Sequence, residues 1–138
     1  MNRPEALNAL NTASRVELVD HFLALGEDDN VRCIVITGDD KAFVAGADIK
    51  EMADIKGAMS SERSYLGMHV YDLLRHIPQP VIASINGYAL GGGMLLAMAC
   101  DIRVAAEGAT FGYPEIKLGI FPGTGGTILL DLPIGSAN

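Results

Sequence analysis

PVIASINGYALGGGMLLAMACD, Pro80 to Asp101, decides the fold. Val81 to Ile85 is a short apolar run with β-branched residues, bounded by Pro80 and Asn86, and reads as a buried strand. Gly87 to Gly93 is a glycine-rich turn, and Met94 to Cys100 is an apolar helix. A strand handing directly to a helix through glycine is the unit of an α/β layered fold.

Working outward, the same alternation recurs. Thr12 to Leu25 reads as an amphipathic helix capped by Thr12, with Val16, Val19, Phe22 and Leu23 inward and Gly26 as its stop. Val31 to Thr37 is a β-branched run and a buried strand, Gly38 to Ala47 a loop, and Asp48 to Ile55 a short helix. Ser60 to Ile77 is a second amphipathic helix, capped by Ser60 or Ser61, with Leu66, Val70, Leu73, Leu74 and Ile77 inward and Pro78 and Pro80 ending it. Asp101 to Ala105 and Ala109 to Phe111 are short strands, Gly123 to Gly126 is a glycine turn, and a last helix starts near Thr127, disturbed by Pro133. No repeat or linker interrupts the chain, so residues 1–138 are expected to form a single α/β domain.

Bulk composition narrows the function. The net charge of −7 leaves no basic patch for phosphates, which argues against nucleic acid. Hydrophobic residues make up 49% of the chain, but no run approaches the ~18 apolar residues of a spanning helix, so no membrane partner is expected. Surplus apolar surface then points to a subunit contact. The start, Met1-Asn2-Arg3-Pro4-Glu5, lacks a basic-then-apolar secretory pattern, and a cytoplasmic protein is expected. Cys33 and Cys100 stand among apolar neighbours and read as reduced core thiols. His21, His69 and His76 fall on helices without ligand spacing, so no metal site is expected.

Three segments can carry chemistry. At Gly91-Gly92-Gly93 a helix start offers unpaired amides and a partial positive charge, which suits a negative or polarised oxygen. The alternative is tight packing of helix on sheet. The spacing fits neither a phosphate-binding loop nor a dinucleotide fingerprint, and Gly123-Thr124-Gly125-Gly126 fails the latter too, with Ile128 at its third glycine position. Ala45-Gly46-Ala47-Asp48-Ile49-Lys50 is a second small-residue turn leading into a helix; Ala47 can present a free amide there, or Asp48 can simply cap. Glu115, between Pro114 and Ile116 in an aromatic and aliphatic setting, is a candidate for proton transfer or else a solvated loop residue.

Taken together, Asn2 to Asn11 (NRPEALNALN), Ala42 to Met52 (AFVAGADIKEM), Pro80 to Asp101 and Phe111 to Gly126 (FGYPEIKLGIFPGTGG) resemble the enoyl-CoA hydratase/isomerase, or crotonase, family, in the family's order. The resemblance implies repeated ββα units around a twisted sheet, and homo-oligomers, trimers or hexamers. It implies an acyl-CoA thioester as partner and no separate cofactor, coenzyme A being part of the substrate. It places two backbone amides that stabilise an enolate on Ala47 and Gly92, and a catalytic carboxylate on Glu115. Substrate contacts are implied at Ala6, Leu7, Ala45, Asp48, Ile49 and Lys50, and at Tyr88, Leu90, Gly91, Leu95, Pro114 and Leu118. An oxyanion donor of this kind is worth about 3–4 kcal/mol in the transition state.

Four departures shape the expected chemistry. Hydratases of the family use two glutamates, and the second would fall three residues past Gly92, where this chain has Leu95. Loss of one general acid or base lowers a rate ~10²–10⁴-fold. Moving a double bond needs one carboxylate, so the expected activity is enoyl-CoA isomerisation ahead of hydration, with Glu115 the sole proton carrier. Glu5 stands where many members have lysine, and Ile128 and Leu129 replace a common polar pair. The family's carboxy-terminal helical region is not matched, which leaves two other readings open: a non-catalytic acyl-CoA-binding fragment, or an assembly subunit.

Overall fold

The computed structural model describes residues 1–54 and 58–126. Helix α1 (Thr12–Glu27) leads into strands β1 (Ile34–Thr37) and β2 (Ala42–Val44) and helices α2 (Ile49–Asp54) and α3 (Ala58–His76). Strands β3 (Val81–Ile85) and β4 (Tyr88–Leu90) precede helix α4 (Gly92–Ala99), and β5 (Ile102–Ala105) and β6 (Thr110–Gly112) follow it. This is a repeated ββα plan. The strands of each pair part company: β1-β3-β5 form one three-stranded parallel sheet and β2-β4-β6 another. Short parallel strands need helical crossovers, which α2, α3 and α4 supply.

β3 is central in its sheet and buries Val81, Ala83 and Ile85 while Ile82 and Ser84 are half-buried. α1 packs on α3, α3 on α4, and α4 on β2 and β4. Their contacts enclose a core that includes Leu10, Phe22, Phe43, Val44, Leu74 and Leu96. Each such large side chain contributes about 1.5–3 kcal/mol when fully removed from water.

Several boundaries differ from the sequence reading. Asn11, not Thr12, caps α1: its side chain accepts from the Ser14 amide at 2.8 Å. The helix passes through Gly26 to Glu27, and its buried face is Ser14, Arg15, Leu18 and Phe22, leaving Val16 and Leu23 exposed. The inward stripe was assigned by hydrophobicity, which overlooks a buried arginine. On α3, Val70 and Leu74 are buried as expected and Tyr71 joins them, whereas Leu66, Leu73 and Ile77 are half-buried.

The loop expected over 38–47 contains β2, wholly buried, and the glycine turn over 87–93 contains β4. Both strands have three residues, too few for a period of two to register. β1 begins at Ile34, whose amide opens the ladder by donating to the Pro80 carbonyl at 2.9 Å. Cys33 lies outside that ladder and is exposed, which corrects its assignment to the core; Cys100 is buried, and burial pushes its thiol up to about 12. The helix expected from Thr127, with Ile128, Leu129 and Pro133, lies outside the described residues. No helix among the described residues is long and apolar enough to cross a membrane. His21, His69 and His76 are exposed.

Candidate functional site

The Ala45–Asp48 turn is shaped by the amino-terminal segment lying beside it. A 3-10 turn at Pro4–Ala6 ends in two left-handed residues, Leu7 (φ 51) and Asn8 (φ 57). Asn8 is wholly buried, and its amide donates to the Ala42 carbonyl at 2.8 Å, which offsets the left-handed backbone by tying the segment to β2. Ala45 then donates to Leu7 (3.0 Å), Leu10 donates to Gly46 (2.8 Å) and Asp48 donates to Leu10 (3.0 Å). In this parallel bridge between Leu10 and Ala47, residues 46 and 48 turn their polar groups towards Leu10. Successive residues of an extended chain face opposite ways, so the Ala47 amide points away, and it donates to no protein acceptor among the described residues.

Asp48 secures the far side of the turn. Its Oδ1 accepts from the amides of Lys50 (3.1 Å) and Glu51 (3.4 Å), which caps α2, and its Oδ2 accepts from Arg3 Nη2 at 3.1 Å. Burial works to raise the Asp48 carboxyl, but the Arg3 hydrogen bond, the Glu51 amide and the Arg3 charge outweigh it and hold it below the usual range.

The second turn brings α4 up against β2. Gly91 adopts φ 50, ψ −119, which favours glycine, and its amide donates to Gly112 at 2.8 Å. A methyl group on Gly93 would lie 1.9 Å from the Val44 carbonyl oxygen, so the helix start packs on β2 with no room for a side chain. The packing alternative for this glycine run therefore holds at Gly93. Gly92 is the first residue of α4, where amides have no intrahelical acceptor. Its carbonyl accepts from Tyr71 Oη at 3.0 Å. A β-carbon built on Gly92 would lie 4.0 Å from the Ala47 nitrogen, so the two turns face each other closely.

Ala47, Gly92, Leu95 and Glu115 line one cavity of about 280 Å³. Glu115 rides on a 3-10 turn, Pro114–Leu118, that the sequence reading did not anticipate. Its Oε2 is buried without a hydrogen-bond partner among the described residues. Its Oε1 would sit 2.6 Å from a methyl on Gly91, so the carboxylate leans on the glycine turn itself. Leu95, 2% exposed, closes the wall with an apolar side chain.

The other expected contacts are distributed differently. Leu7 and Tyr88 line a separate cleft of about 480 Å³ with Lys41 and Asn86. Ala45 is bound into the bridge described above, and the Leu90 carbonyl packs against Gly46. Ile49 and Lys50 are exposed on α2, and Leu118 is exposed at the end of its 3-10 turn. Ala6, Ile49, Lys50, Pro114 and Leu118 do not line the cavity that holds Glu115.

The lining residues that sequence reasoning missed include Arg15, Arg63 and Tyr71. Arg63, Gly67 and Tyr71 follow one another at helical spacing of four, a polar stripe that the hydrophobic pattern concealed. Burial, opposed mainly by the charge of Arg15, pushes the Tyr71 phenol up to about 12, so it remains a hydrogen-bond donor at neutral pH. Burial followed by repulsion from Glu115 raises Tyr113 as well.

Comparison with known proteins follows the same lines. The family model described as enoyl-CoA hydratase/isomerase matches residues 1–138. A crotonyl-CoA hydratase of Syntrophomonas wolfei is 48% identical over 136 residues, covering 98% of this chain and 52% of the relative. A short-chain-enoyl-CoA hydratase of Clostridium acetobutylicum is 45% identical over 136 residues, with 98% and 52% covered. A crystal structure of an enoyl-CoA hydratase from Bacillus anthracis matches with a TM-score of 0.94 and 41% identity, covering 99% of this chain and 53% of that one. The chain spans about half the length of the curated relatives it matches.

Proposed function

Because the chain belongs to the enoyl-CoA hydratase/isomerase family, with the crotonase-like α/β fold of repeated ββα units, we propose that its cavity binds the acyl end of a short enoyl-CoA thioester and moves the double bond. The observation that carries this reading is the approach of Ala47 to Gly92 beside Glu115, in one cavity of about 280 Å³. Two outward amides converging on a thioester oxygen would stabilise the negative charge that develops there when a proton leaves the adjacent carbon. The volume suits a short chain, in keeping with the names of the two hydratases above.

In this mechanism the Glu115 carboxylate takes a proton from C2 of a 3-enoyl thioester. The electron pair spreads into a dienolate whose charge rests on the thioester oxygen between Ala47 and Gly92. The same proton returns to C4, giving the 2-enoyl isomer with no net gain or loss. Hydration asks for a second group to hold the water, and the position three past Gly92 is the buried, apolar Leu95.

The test is turnover of paired 3-enoyl-CoA and 2-enoyl-CoA substrates, followed by thioester conjugation. Migration is expected to exceed hydration, and Glu115→Gln to lower it ~10²–10⁴-fold. Hydration outpacing migration, or migration surviving Glu115→Gln, overturns the assignment. A second reading, binding without turnover, is favoured by Leu95; thioester binding by calorimetry with no change in conjugation would support it.

A further inference from the structure

The cavity contains two guanidinium groups that the mechanism above does not use. Arg15, on the inward face of α1, is 6% exposed. Its Nε and Nη1 are buried and have no hydrogen-bond partner among the described residues. Arg63, on α3, donates through Nε to Glu51 Oε2 at 3.2 Å, while its Nη2 is buried and unpartnered among the described residues. Both side chains line the cavity that holds Ala47, Gly92 and Glu115.

Only Arg63 has an acidic partner among the described residues. Glu51 makes the ion pair with Arg63 at 3.2 Å, and its two oxygens also accept from the Thr12 amide at 2.9 and 3.1 Å. Arg15 makes no ion pair among the described residues. Burial first, then repulsion from Arg63, pull the Arg15 pKa down, opposed by weaker attraction from Tyr71 and Glu51. A buried guanidinium is otherwise found paired, because its fork of N–H donors loses its water without compensation. Two guanidinium groups that line one small cavity and keep buried, unpartnered N–H groups offer donors for a planar anion.

We propose that Arg15 and Arg63 receive a carboxylate at the far end of the acyl chain, so that the substrate class is the monothioester of a dicarboxylic acid; this rests on the acyl-CoA reading above. The cavity puts the cations beside the reacting centre, and Met52, Leu95 and Ile120 supply apolar wall for the methylenes between. Coenzyme A itself is a poor fit to this place, because the contacts expected for it at Ala6, Leu7 and Lys50 lie outside the cavity.

The test is calorimetric binding of two saturated thioesters of equal chain length, glutaryl-CoA and pentanoyl-CoA, to the full chain, with free coenzyme A and free glutarate as references. Glutaryl-CoA is expected to bind at least tenfold tighter than pentanoyl-CoA, and free glutarate not to bind in the same concentration range. Arg15→Met is expected to collapse the ratio towards one, with Arg15→Lys intermediate. Equal or tighter binding of pentanoyl-CoA overturns the proposal, as does free glutarate binding as tightly as its thioester. If neither thioester binds more tightly than free coenzyme A, the acyl-CoA reading itself fails and takes this inference with it. Should Arg15→Met not fold, the wild-type ratio and Arg63→Met decide alone.

Discussion

β2 and β5 are both short parallel strands rich in apolar residues, yet Ala42, Phe43 and Val44 are wholly buried while all four residues of β5 are exposed. Composition does not separate them; the layers on top do. α4 lies directly on β2, with α3 behind it, whereas no helix among the described residues packs on β5 to comparable extent. The candidate site straddles this divide. The Ala47 and Gly92 turns both sit on the buried side, fixed by the Leu10 bridge and by the seating of Gly93 on Val44. Glu115 is carried by a turn whose neighbours Ile116 and Leu118 are 81% and 51% exposed. The comparison teaches that the Ala47 and Gly92 turns, proposed to stabilise charge, are pre-organised by packing, while Glu115, the proposed proton carrier, depends on a thinly supported segment.

The strongest way to break that comparison is to exchange the expected costs. Gly93→Ala places a methyl 1.9 Å from a backbone oxygen that cannot move without separating α4 from β2. Overpacking of this kind is expected to cost about 3 kcal/mol or more, at the upper end for inserted groups. Ile116→Ala, on the exposed turn, is expected to stay within about 0.5 kcal/mol of wild type. Urea denaturation of the two variants side by side measures both. Similar losses would show that the turn is packed as firmly as the helix start, and the contrast would be gone.

A finer cut uses Tyr71, which sits on α3 and donates to Gly92. Tyr71→Phe removes the 3.0 Å bond but keeps the ring in the core. The expected loss is about 1 kcal/mol of stability, rising towards 2–3 if the Gly92 carbonyl finds no water. Under the proposed mechanism the same change should lower kcat more than it raises KM, because Gly92 is needed most when charge develops on the oxygen. A pure KM effect would mean that Tyr71 shapes the pocket without steadying the Gly92 peptide.

Legibility in the sequence divides along the same line. β3 and α4 could be read because a five-residue apolar run and an eight-residue apolar helix meet at an unmistakable glycine turn. β2 and β4 could not, since three residues carry no period. The inward face of α1 was misjudged because Arg15 scores as polar although its surroundings bury it. At the site, Ala47, Gly92 and Glu115 could each be singled out as local features. What no local feature conveys is that Leu10 orients the first amide and that Gly91 leaves space for the Glu115 carboxylate, for these are meetings of segments distant along the chain.

The smallest expected effect concerns the charge network behind the first turn. Asp48 and Glu51 are both held below the ordinary carboxylate range: burial opposes this at each, but Arg3 and backbone amides at Asp48, and Thr12 and Arg63 at Glu51, prevail. A carboxyl that is more acidic in the folded state than in the unfolded chain favours folding at pH values above its unfolded pKa, about 3.9 for aspartate and 4.3 for glutamate. That contribution disappears as pH falls through the folded-state value. Stability should therefore be flat near neutrality and decline below about pH 4–5, the window set by those unfolded values. Asp48→Asn removes one of the two acidic partners, so its stability curve should start lower at pH 7 and fall less steeply in acid, converging on wild type at the acid end. Denaturant midpoints collected from pH 7 to pH 3 would show the two curves approaching each other. Parallel curves would mean that the Arg3–Asp48 contact does not hold the turn in solution, and the buried side of the site would owe its order to packing alone.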